Sequence, residues 1–599
     1  MFDFTKEQIL TALKNGTKAS ATEISDKRIA EMKKNPLLRE AFASLEACRE
    51  FYRGRPLYAI PFSLFKRFEA DGDRRAFEHD ENGYFMRRGH LKTWALSALF
   101  SGDSDDISRL EDILWAICDE YTWCLPAHMN GKESIYANYQ PDRYTIDLFA
   151  AETGQAIAEI LQICGDKLDP LVVQRAKREL MTRVLNRYLH ADSDEFFWSR
   201  IENNWAAVCA GAVGMAAICA LDDETELAAI IEKTMMPMRS FIRGFSEDGV
   251  CLEGITYWEY GFGYFAAYAD MLYRRTGGTI DLFDNEKTRL VALFPAKIFF
   301  YGSRTVSFSD GESRGSLSLG RMSLLKSHYP DLTVPKTAKL TSHLELEGCH
   351  RFAFALREFI WVGSEPPLSD GKEHRVYPFP DAQWYVANGA NELGFASRAG
   401  KNNESHNHND VGHFILYKKG IEFFADLGAG VYTKQYFGKD RYSFVHCGSH
   451  GHSVPIINGL CQEAGKYCVA KDVSVTENGI SMDLASVYPD ESLLSLRRDF
   501  HFSPEAATVS LTDRFAFTKA PRSLVERFVT SVEPIVSDGA ISFSLDGVSV
   551  SMRFIPEAFD VTVLPQEDTD HRGKPIRFWF VDLTVKAPKS EMEFSFTIA

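Results

Sequence analysis

The chain has 599 residues, of which 45% are hydrophobic and 25% are charged. This length exceeds the size at which one hydrophobic core stops growing, so two or three domains are expected, and the composition excludes a largely disordered protein. The formal net charge of −16 excludes non-specific binding to nucleic acid or to anionic membranes as the main function. It also counts against a polyanionic substrate, unless basic side chains cluster in a cleft.

Two further features bear on the cellular compartment. The first residues, Met1–Glu7, lack a basic segment and an apolar segment, so no secretory signal is visible, and the low-charge stretch Trp205–Leu221 is short enough to be a buried helix rather than a membrane span. The 11 Cys are odd in number and form no CxxC pair, which indicates a reducing compartment rather than a disulfide framework. A cytoplasmic protein is expected; a secreted or periplasmic protein trimmed of its signal would have the same sequence.

The first 330 or so residues have helical periodicity. Between Leu171 and Leu189 apolar residues recur at helical spacing, with Arg and Lys between them. Comparable patterns predict helices over residues 107–121, 145–164, 204–221, 225–241 and 260–275. Long helices with short links and no strand signals indicate an all-α layer, either a bundle or a toroid of helical hairpins.

The periodicity changes near residue 345. Short alternating runs follow at residues 352–356, 414–417, 421–425, 473–475 and 494–502. Two more runs flank Asp546-Gly547, which is a strong hairpin signal, and almost all of the chain from about residue 500 is of this kind. We therefore predict an α+β multidomain fold, helical over residues 1–335 and formed by antiparallel sheet over residues 336–599, with the connection at residues 329–339.

Three polar segments are candidates for a functional site. Residues 202–205 (Glu-Asn-Asn-Trp) precede the Ala-rich helix, and since Asn is a good N-cap, a helix start is the simplest interpretation. Residues 248–261 crowd Gly and aromatic side chains before another helix, which an ordinary packed turn would also explain. Residues 404–414 contain three of the 16 His just before a strand. A His-X-His pair in an extended chain directs both imidazoles to one side, where they can meet a metal or a charged substrate.

Farther along, Asp426 ends a predicted strand and His452 lies in a His-Ser-Val-Pro segment. One carboxylate with two imidazoles is a plausible three-ligand set for Zn²⁺ or a similar ion. The separations from His408 to Asp426 and from Asp426 to His452 are 18 and 26 residues, far looser than in a zinc finger, so the spacing alone is weak evidence.

Together these segments resemble the heparinase II/III-like polysaccharide lyases, which include heparin, chondroitin, hyaluronan and alginate lyases. The resemblance is most specific at His406-Asn407-His408-Asn409-Asp410-Val411-Gly412 and continues through residues 424–432, 441–442 and 452–455. In the helical half it is carried by residues 123–128, 147–153, 203–205 and 253–258. It implies an incomplete (α/α) toroid followed by a sandwich-like antiparallel β-sheet domain, which agrees with the order of helices and strands predicted above.

The resemblance also implies roles for individual residues. A lyase removes the weakly acidic C5 proton of a uronic acid and expels the oxygen at C4, so it needs a partner for the carboxylate, a base and an acid. By resemblance, Asn203 holds the carboxylate, Tyr257 is the acid and often also the base, and His406 is a second base. The expected substrate-binding residues are Asn204, Trp205, His128 and Arg441. The expected ligands of one structural divalent ion, Zn²⁺ or else Mn²⁺, are His408, Asp426 and His452.

One departure from the family pattern concerns the base. Many relatives have His at or beside the position of Asn203, whereas an amide is not basic at neutral pH, so the proton must go elsewhere and the preferred epimer stays open. If Tyr257 is the base, its pKa must be depressed by a nearby imidazolium, Arg or metal charge.

The predicted function is β-elimination of a uronic-acid-containing polymer, such as heparan sulfate, chondroitin sulfate or hyaluronan. Cleavage of alginate or oligoalginate by the same fold is the alternative. A glycoside hydrolase with a carboxylate pair drawn from Glu253, Glu259 and Asp248, or a non-catalytic carbohydrate-binding protein, would not explain the His cluster. An anionic saccharide is the expected partner, and a homodimer is possible. The lack of a visible signal favours imported oligosaccharides and exo-acting cleavage.

Overall fold

The computed structural model describes residues 1–71, 74–129, 144–192, 195–335, 340–341, 344, 348–369, 374–433 and 435–599. Part of the predicted connection, residues 336–339, lies outside the described residues, and so does the start of the predicted sheet domain at residue 336. The α-helices, in chain order, are α1 (Lys6–Leu13), α2 (Lys18–Thr22), α3 (Asp26–Lys34), α4 (Arg39–Arg53), α5 (Phe62–Asp71), α6 (Arg74–His79), α7 (Tyr84–Ser101), α8 (Ser104–Cys118), α9 (Leu148–Cys164), α10 (Pro170–Leu180), α11 (Asn186–His190), α12 (Asn204–Ala220), α13 (Glu224–Arg243), α14 (Ile255–Arg275), α15 (Glu286–Lys297), α16 (Leu319–His328) and α17 (Phe352–Ile360).

Helix α12 lies at the centre of the helical region, where it packs against α9, α13 and α14. Every residue of α12 except Trp205 and Ala220 is buried. Its small Ala and Gly side chains allow neighbouring helices to approach closely; a Cβ on Gly211 would lie only 3.1 Å from the carbonyl oxygen of Tyr264. The low-charge stretch is therefore a buried helix, as predicted. Among the described residues, no helix is both long and apolar enough to cross a membrane.

The prediction of a strand at residues 352–356 is wrong, because this segment begins helix α17. The alternation Phe-Ala-Phe-Ala-Leu fits a strand, but a short apolar run cannot be assigned by periodicity alone. Helix α17 packs against α7, α9 and α14, so the helical core recruits a segment that follows the expected connection.

The strands are β1 (Leu317–Ser318), β2 (Val334–Pro335), β3 (Leu340–Thr341), β4 (Leu368–Ser369), β5 (Arg375–Phe379), β6 (Trp384–Asn388), β7 (Leu393–Arg398), β8 (Phe414–Lys418), β9 (Ile421–Phe424), β10 (Ile456–Ile457), β11 (Lys471–Thr476), β12 (Gly479–Asp483), β13 (Leu493–Ser503), β14 (Thr508–Phe517), β15 (Leu524–Thr530), β16 (Pro534–Ser537), β17 (Ala540–Leu545), β18 (Val548–Arg553), β19 (Phe559–Thr569), β20 (Pro575–Val585) and β21 (Glu591–Ile598).

In the described part of the chain these strands form two large sheets. One has the order β19-β20-β15-β9-β8-β7-β6-β5, with β10 added beside β15, and the other has the order β11-β12-β13-β14-β21-β18-β17-β16. All pairings within both sheets are antiparallel, as predicted. The two-residue pairs β1–β3 and β2–β4, near the connection, are parallel. The predicted hairpin is β17–β18, with Asp546 and Gly547 both at positive φ, as a two-residue type I′ turn requires.

Strands β6, β7 and β8 at the middle of the first sheet are buried on both faces. Along β6, Trp384 and Val386 pack into the core of the helical region, while Tyr385 and Ala387 pack into the core shared with the second sheet. The alternation of side chains along a strand thus joins the helices, the first sheet and the second sheet into three layers. The 11 Cys all lie among the described residues and form no disulfide.

Candidate active site

A cleft of about 250 Å³ lies between the helical region and the first sheet. The helical region contributes the start of α12 with Asn203 and Asn204, the start of α14 with Tyr257, and the segment before α14 with Glu253. The loop between β7 and β8 contributes Lys401 and residues 403–405. The cleft therefore brings together all three polar segments singled out in the sequence.

Asn203 is the N-cap of α12, as the simplest interpretation of its segment predicted. Its Oδ1 accepts a hydrogen bond from the backbone N–H of Trp205 at 3.1 Å. This bond fixes the amide with its oxygen towards the helix and leaves the NH₂ group as the donor for a ligand in the cleft. The positive end of the helix dipole adds to the attraction for an anion at this point.

Tyr257 lies in the first turn of α14, after Gly254, whose φ of 92° favours glycine. The Tyr257 hydroxyl lies 3.2 Å from His406 Nδ1 and 2.9 Å from the Tyr432 hydroxyl. Burial, together with the nearby Asp310 carboxylate, raises the pKa of Tyr257 well above its ordinary value. The depressed pKa that a basic tyrosine needs is not present, so this phenol stays protonated and is suited to be an acid.

Asp310 is a buried carboxylate at the centre of the site. It accepts hydrogen bonds from the hydroxyls of Tyr432 at 2.9 Å and Tyr436 at 2.7 Å, and it faces His406 Nδ1 at 2.5 Å and His408 Nε2 at 3.0 Å. Burial alone would raise the pKa of Asp310, but the hydrogen bonds from the two histidines outweigh it and hold the pKa far below its usual range. Asp310 is therefore held as an anion, and it orients four side chains from two loops, the one between β7 and β8 and the one after β9.

His406 is held in one orientation by its backbone and by its partners. Its φ of 54° is unusual for a residue with a side chain and marks a position that the surrounding structure must stabilise. Because Asp310 accepts the Nδ1 proton, the neutral ring has its lone pair on Nε2. That atom lies 3.8 Å from Oε2 of Glu253, which lines the cleft.

The candidate metal site differs from the predicted set in one ligand. The structure brings together His413, Asp426 and His452, whose ligand atoms lie within 4.8 Å of one another. His408 instead directs Nε2 to Asp310, and its ring centroid is 5.5 Å from that of His452. His413 immediately precedes β8, so its side chain enters the space beside Asp426, which follows β9.

The donor set fits a cation. His413 Nε2, Asp426 Oδ2 and His452 Nδ1 are buried and have no hydrogen-bond partner, and buried polar atoms of this kind are rare unless a ligand satisfies them. His452 donates from Nε2 to the His446 carbonyl at 3.1 Å, which presents Nδ1 as a ligand. His413 accepts the Ser453 N–H at Nδ1, so the neutral ring carries its proton on Nε2; for this neutral ring to bind a metal through Nε2, the proton has to move to Nδ1 and the bond from Ser453 has to break.

The predicted substrate-binding residues fall into two groups. Asn204 lines the cleft. His128 is 2.8 Å from Asp147 and packs edge-on against Trp205, with ring centroids 4.7 Å apart, but neither side chain lines the cleft. Arg441, only 11% exposed, lies behind Asp310, with its Nη2 3.3 Å from Oδ1. It stabilises the carboxylate and does not line the cleft.

Asp310, Tyr432, Tyr436 and His413 were not assigned roles from the sequence. Asp310 lies in a Ser-Asp-Gly segment that is typical of an ordinary turn, and only the fold brings it to the His cluster. The close approach of Gly428 to Gly311, where a Cβ would lie 2.8 Å from the Gly311 carbonyl oxygen, joins the turn to the loop after β9. Two features of the sequence could have pointed to the other three residues: Tyr432 and Tyr436 lie close to Arg441 in the chain, and His413 is the third His of the 404–414 segment.

The sequence matches no protein-family model and no curated protein. Its structure is similar to a heparinase III, with a TM-score of 0.58 and 13% identity over 96% of this chain and 93% of that one. It is also similar to a mutant heparan sulfate lyase from Pedobacter heparinus, with a TM-score of 0.57 and 13% identity over 93% of this chain and 88% of that one. A mutant chondroitin AC lyase from Streptomyces coelicolor A3 has a TM-score of 0.52 and 10% identity, over 96% of this chain and 81% of that one. The chain has the fold of these polysaccharide lyases, a helical region followed by antiparallel sheets, as predicted.

Proposed function

We propose that this protein is a polysaccharide lyase that cleaves a uronic-acid-containing saccharide by β-elimination. The observation that carries the proposal is the placement of a protonated phenol, Tyr257, within 3.2 Å of the His406 imidazole, in a cleft that also contains Asn203. These are the acid, the base and the carboxylate partner that the reaction requires. The fold shared with heparinase III and chondroitin AC lyase supports the same proposal.

The substrate carboxylate is held by the Asn203 amide and the start of α12. Removal of the C5 proton places a second negative charge beside the carboxylate, so donors fixed before the reaction stabilise the transition state most effectively. The amide oxygen is already occupied by the Trp205 N–H. Asn203 therefore offers its N–H groups without any reorientation.

The proton path uses His406 and Tyr257. His406 Nε2 accepts the C5 proton while Tyr257 donates its hydroxyl proton to O4, so that the C4–O4 bond breaks and the C4–C5 double bond forms. After product release, Nε2 of His406 gives its proton to solvent and the Tyr257 phenolate takes one from solvent, while Nδ1, 3.2 Å from the Tyr257 oxygen, keeps the proton that it donates to Asp310; both groups are then back in the resting state. Tyr432 donates to Asp310 and therefore accepts from Tyr257 in the resting site, which holds the phenol in place.

The hydrolase alternative requires two carboxylates on opposite sides of the scissile bond. Glu259 is bonded to Arg321, and Asp248 accepts the backbone N–H groups of Asp381 and Ala382. Glu253 is the one member of the three suggested carboxylates that lines the cleft. This arrangement favours the lyase.

We further propose that one divalent ion, Zn²⁺ in preference to Mn²⁺, is held by His413, Asp426 and His452. When bound, it supplies a cross-link between the ends of β8 and β9, and so stabilises the loop that carries His406 and His408. Two neutral imidazoles with one carboxylate are the donors that Zn²⁺ prefers. The chemical steps are carried out by the side chains of the chain itself.

One experiment tests the proposed reaction. The purified protein is incubated with heparin, heparan sulfate, chondroitin sulfate, hyaluronan and alginate, and the ultraviolet absorbance of unsaturated uronate is followed. Glycosaminoglycans are the favoured class, with alginate and oligoalginate as the alternative. Release of reducing ends without the unsaturated chromophore would contradict the lyase and support hydrolysis.

A further inference from the structure

The tip of the β19–β20 hairpin, residues 570–574, lies against the loop after β9, which carries Tyr432. His571 donates from Nδ1 to the carbonyl oxygen of Gly430 at 2.9 Å, and its ring packs edge-on against Tyr432 with centroids 4.5 Å apart. The neighbouring Arg572 lies 3.5 Å from Glu312, two residues after Asp310. A hairpin at the end of the first sheet thus extends to two loops of the active site.

The turn that carries these side chains is ordered by its own hydrogen bonds. Asp570 Oδ1 accepts the backbone N–H groups of Arg572 at 2.9 Å and Lys574 at 2.8 Å. Gly573 adopts a φ of 76° and donates to the Asp570 carbonyl. The cationic side chains are therefore presented from a defined position.

An exposed aromatic ring lies on the same side of the site. Phe437 is 50% exposed, yet its ring centroid is 4.8 Å from that of Tyr432 and 6.1 Å from that of His406. A large apolar side chain packed on two site residues and open to solvent offers a flat surface for the apolar face of a sugar ring.

The charge of Arg572 is available to a ligand. Its side chain is 67% exposed and that of Glu312 is 45% exposed, and an exposed pair of this kind contributes only about 0–1 kcal/mol. The cations of the tip are Arg572 and Lys574, while the Asp570 carboxylate is occupied by backbone N–H groups of the turn. An exposed guanidinium can bind an anionic group through charge-assisted hydrogen bonds.

We infer that Phe437 and Arg572 form a sugar-binding subsite on the Tyr432 side of the catalytic centre. The inference rests on the proposed lyase function. The subsite takes the saccharide unit next to the cleaved bond, with its ring on Phe437 and its anionic group, a carboxylate or a sulfate ester, on Arg572. The catalytic Tyr257 then lies between this subsite and the cleft of Asn203.

The test compares kcat and KM for size-defined oligosaccharides of the polymer that the wild type cleaves. For long oligosaccharides, Phe437→Ala and Arg572→Ala should each raise KM about tenfold, the loss expected for one stacking or charge-assisted contact, with kcat changed less than about twofold. The effect should shrink for the shortest oligosaccharide that is cleaved, and Arg572→Lys should restore part of it. A larger effect with sulfated than with desulfated chains supports the subsite and identifies sulfate as the anionic group, and equal effects support it with a carboxylate.

Two controls separate this effect from general ones. Arg553→Ala removes an exposed cation of the second sheet and should leave both constants unchanged, whereas Glu312→Gln frees Arg572 and should lower KM. Unchanged KM at every length, or an equal loss of kcat at every length, would overturn the subsite. If the wild type gives no unsaturated product, the proposed function fails. The subsite is then tested by calorimetric titration of the wild type, Phe437→Ala and Arg572→Ala with heparan sulfate and alginate oligosaccharides. Equal affinities of the three proteins would overturn the subsite.

Discussion

The Tyr257 hydroxyl has hydrogen-bonding contacts to both His406 and Tyr432. We expect Tyr257→Phe to remove the acid while the ring packing stays intact, with a loss of about 10²–10⁴-fold in kcat. The measurement is the rate of unsaturated product formation, with a melting curve to show that the variant folds. A folded variant with the wild-type rate would remove Tyr257 from the mechanism and leave Tyr260 or Tyr264 as candidates.

Asp310 orients His406, although it does not line the cleft. We expect Asp310→Asn to lower kcat by about 10²-fold or more with little change in KM, since the amide no longer fixes the imidazole or balances its charge. Stability should fall by about 3–5 kcal/mol, because buried Arg441 loses its anionic partner.

Tyr436→Phe is the matched control for Asp310→Asn, as it removes one hydrogen bond to the same carboxylate. It should cost only about 0.5–1.5 kcal/mol of stability and leave most of the activity. If Asp310→Asn keeps full kcat, or if both variants lose kcat equally, the positioning role of the carboxylate is refuted.

At the scale of single elements, the start of α12 combines a helix cap with a proposed carboxylate site, and substitutions separate the two roles. Asn203→Asp keeps a good N-cap and places a negative charge at the helix N-terminus, so stability should be unchanged or slightly higher. Activity should fall severely, because the N–H donors are replaced by a charge that repels the substrate carboxylate. Asn203→Ala should lose activity and also about 1 kcal/mol of stability. Wild-type activity in Asn203→Asp would leave the cap as the sole role of the residue.

The proposed metal ligands at the ends of β8 and β9, with His452, give a second test at this scale. His413→Ala should abolish the uptake of about one equivalent of Zn²⁺, whereas His408→Ala should retain the ion and lose activity through the Asp310 network. Elemental analysis of both variants discriminates the group seen in the structure from the set predicted from the sequence. Loss of metal from His408→Ala alone would restore the predicted set.

The same group should make stability depend on pH. Burial raises the pKa of Asp426 to about 8, so the metal-free folded protein keeps a proton that the unfolded chain releases above about pH 4. Burial also lowers the pKa values of His413 and His452 well below their ordinary value, so below about pH 6.5 the unfolded histidines bind protons that the folded ones do not, and this opposes the effect of Asp426. The metal-free protein should therefore lose stability as pH rises from about 6.5 to 8, while bound Zn²⁺, which displaces the Asp426 proton, should remove this slope. Melting temperatures measured across this range with and without Zn²⁺ check the expectation; parallel curves would contradict it.

At the scale of the whole molecule, the order of helices and sheets could be predicted because it depends on local periodicity. The same holds for the caps and turns, such as Asn203 and Asp546-Gly547, whose side chains act on their own backbone. The strand predicted at residues 352–356 was wrong because a run of only five residues fits both the period of a strand and the period of a helix. Packing against α7 and α9 favours the helix in this segment.

The candidate site was predictable where its residues lie in distinctive segments, as Tyr257 and His406 do. Asp310 could not be found in this way, because its partners are about 100 residues or more away in the chain and only the meeting of two loops brings them together. The exchange of His408 for His413 has a similar origin. Both lie in the irregular loop before β8, and the direction of each imidazole depends on carboxylates contributed by other loops.

The last prediction concerns the cooperativity of the whole molecule. Trp384, Val386 and Tyr417 of the first sheet belong to the same buried core as the helices, so the helical region cannot unfold without exposing one face of that sheet. We therefore expect a single calorimetric transition that coincides with the loss of activity, although chains of this size often unfold in steps. Trp384→Ala should lower the free energy of unfolding by about 3–5 kcal/mol and shift the whole transition. Two transitions, of which Trp384→Ala shifts only one, would show that the helical region and the sheets unfold independently.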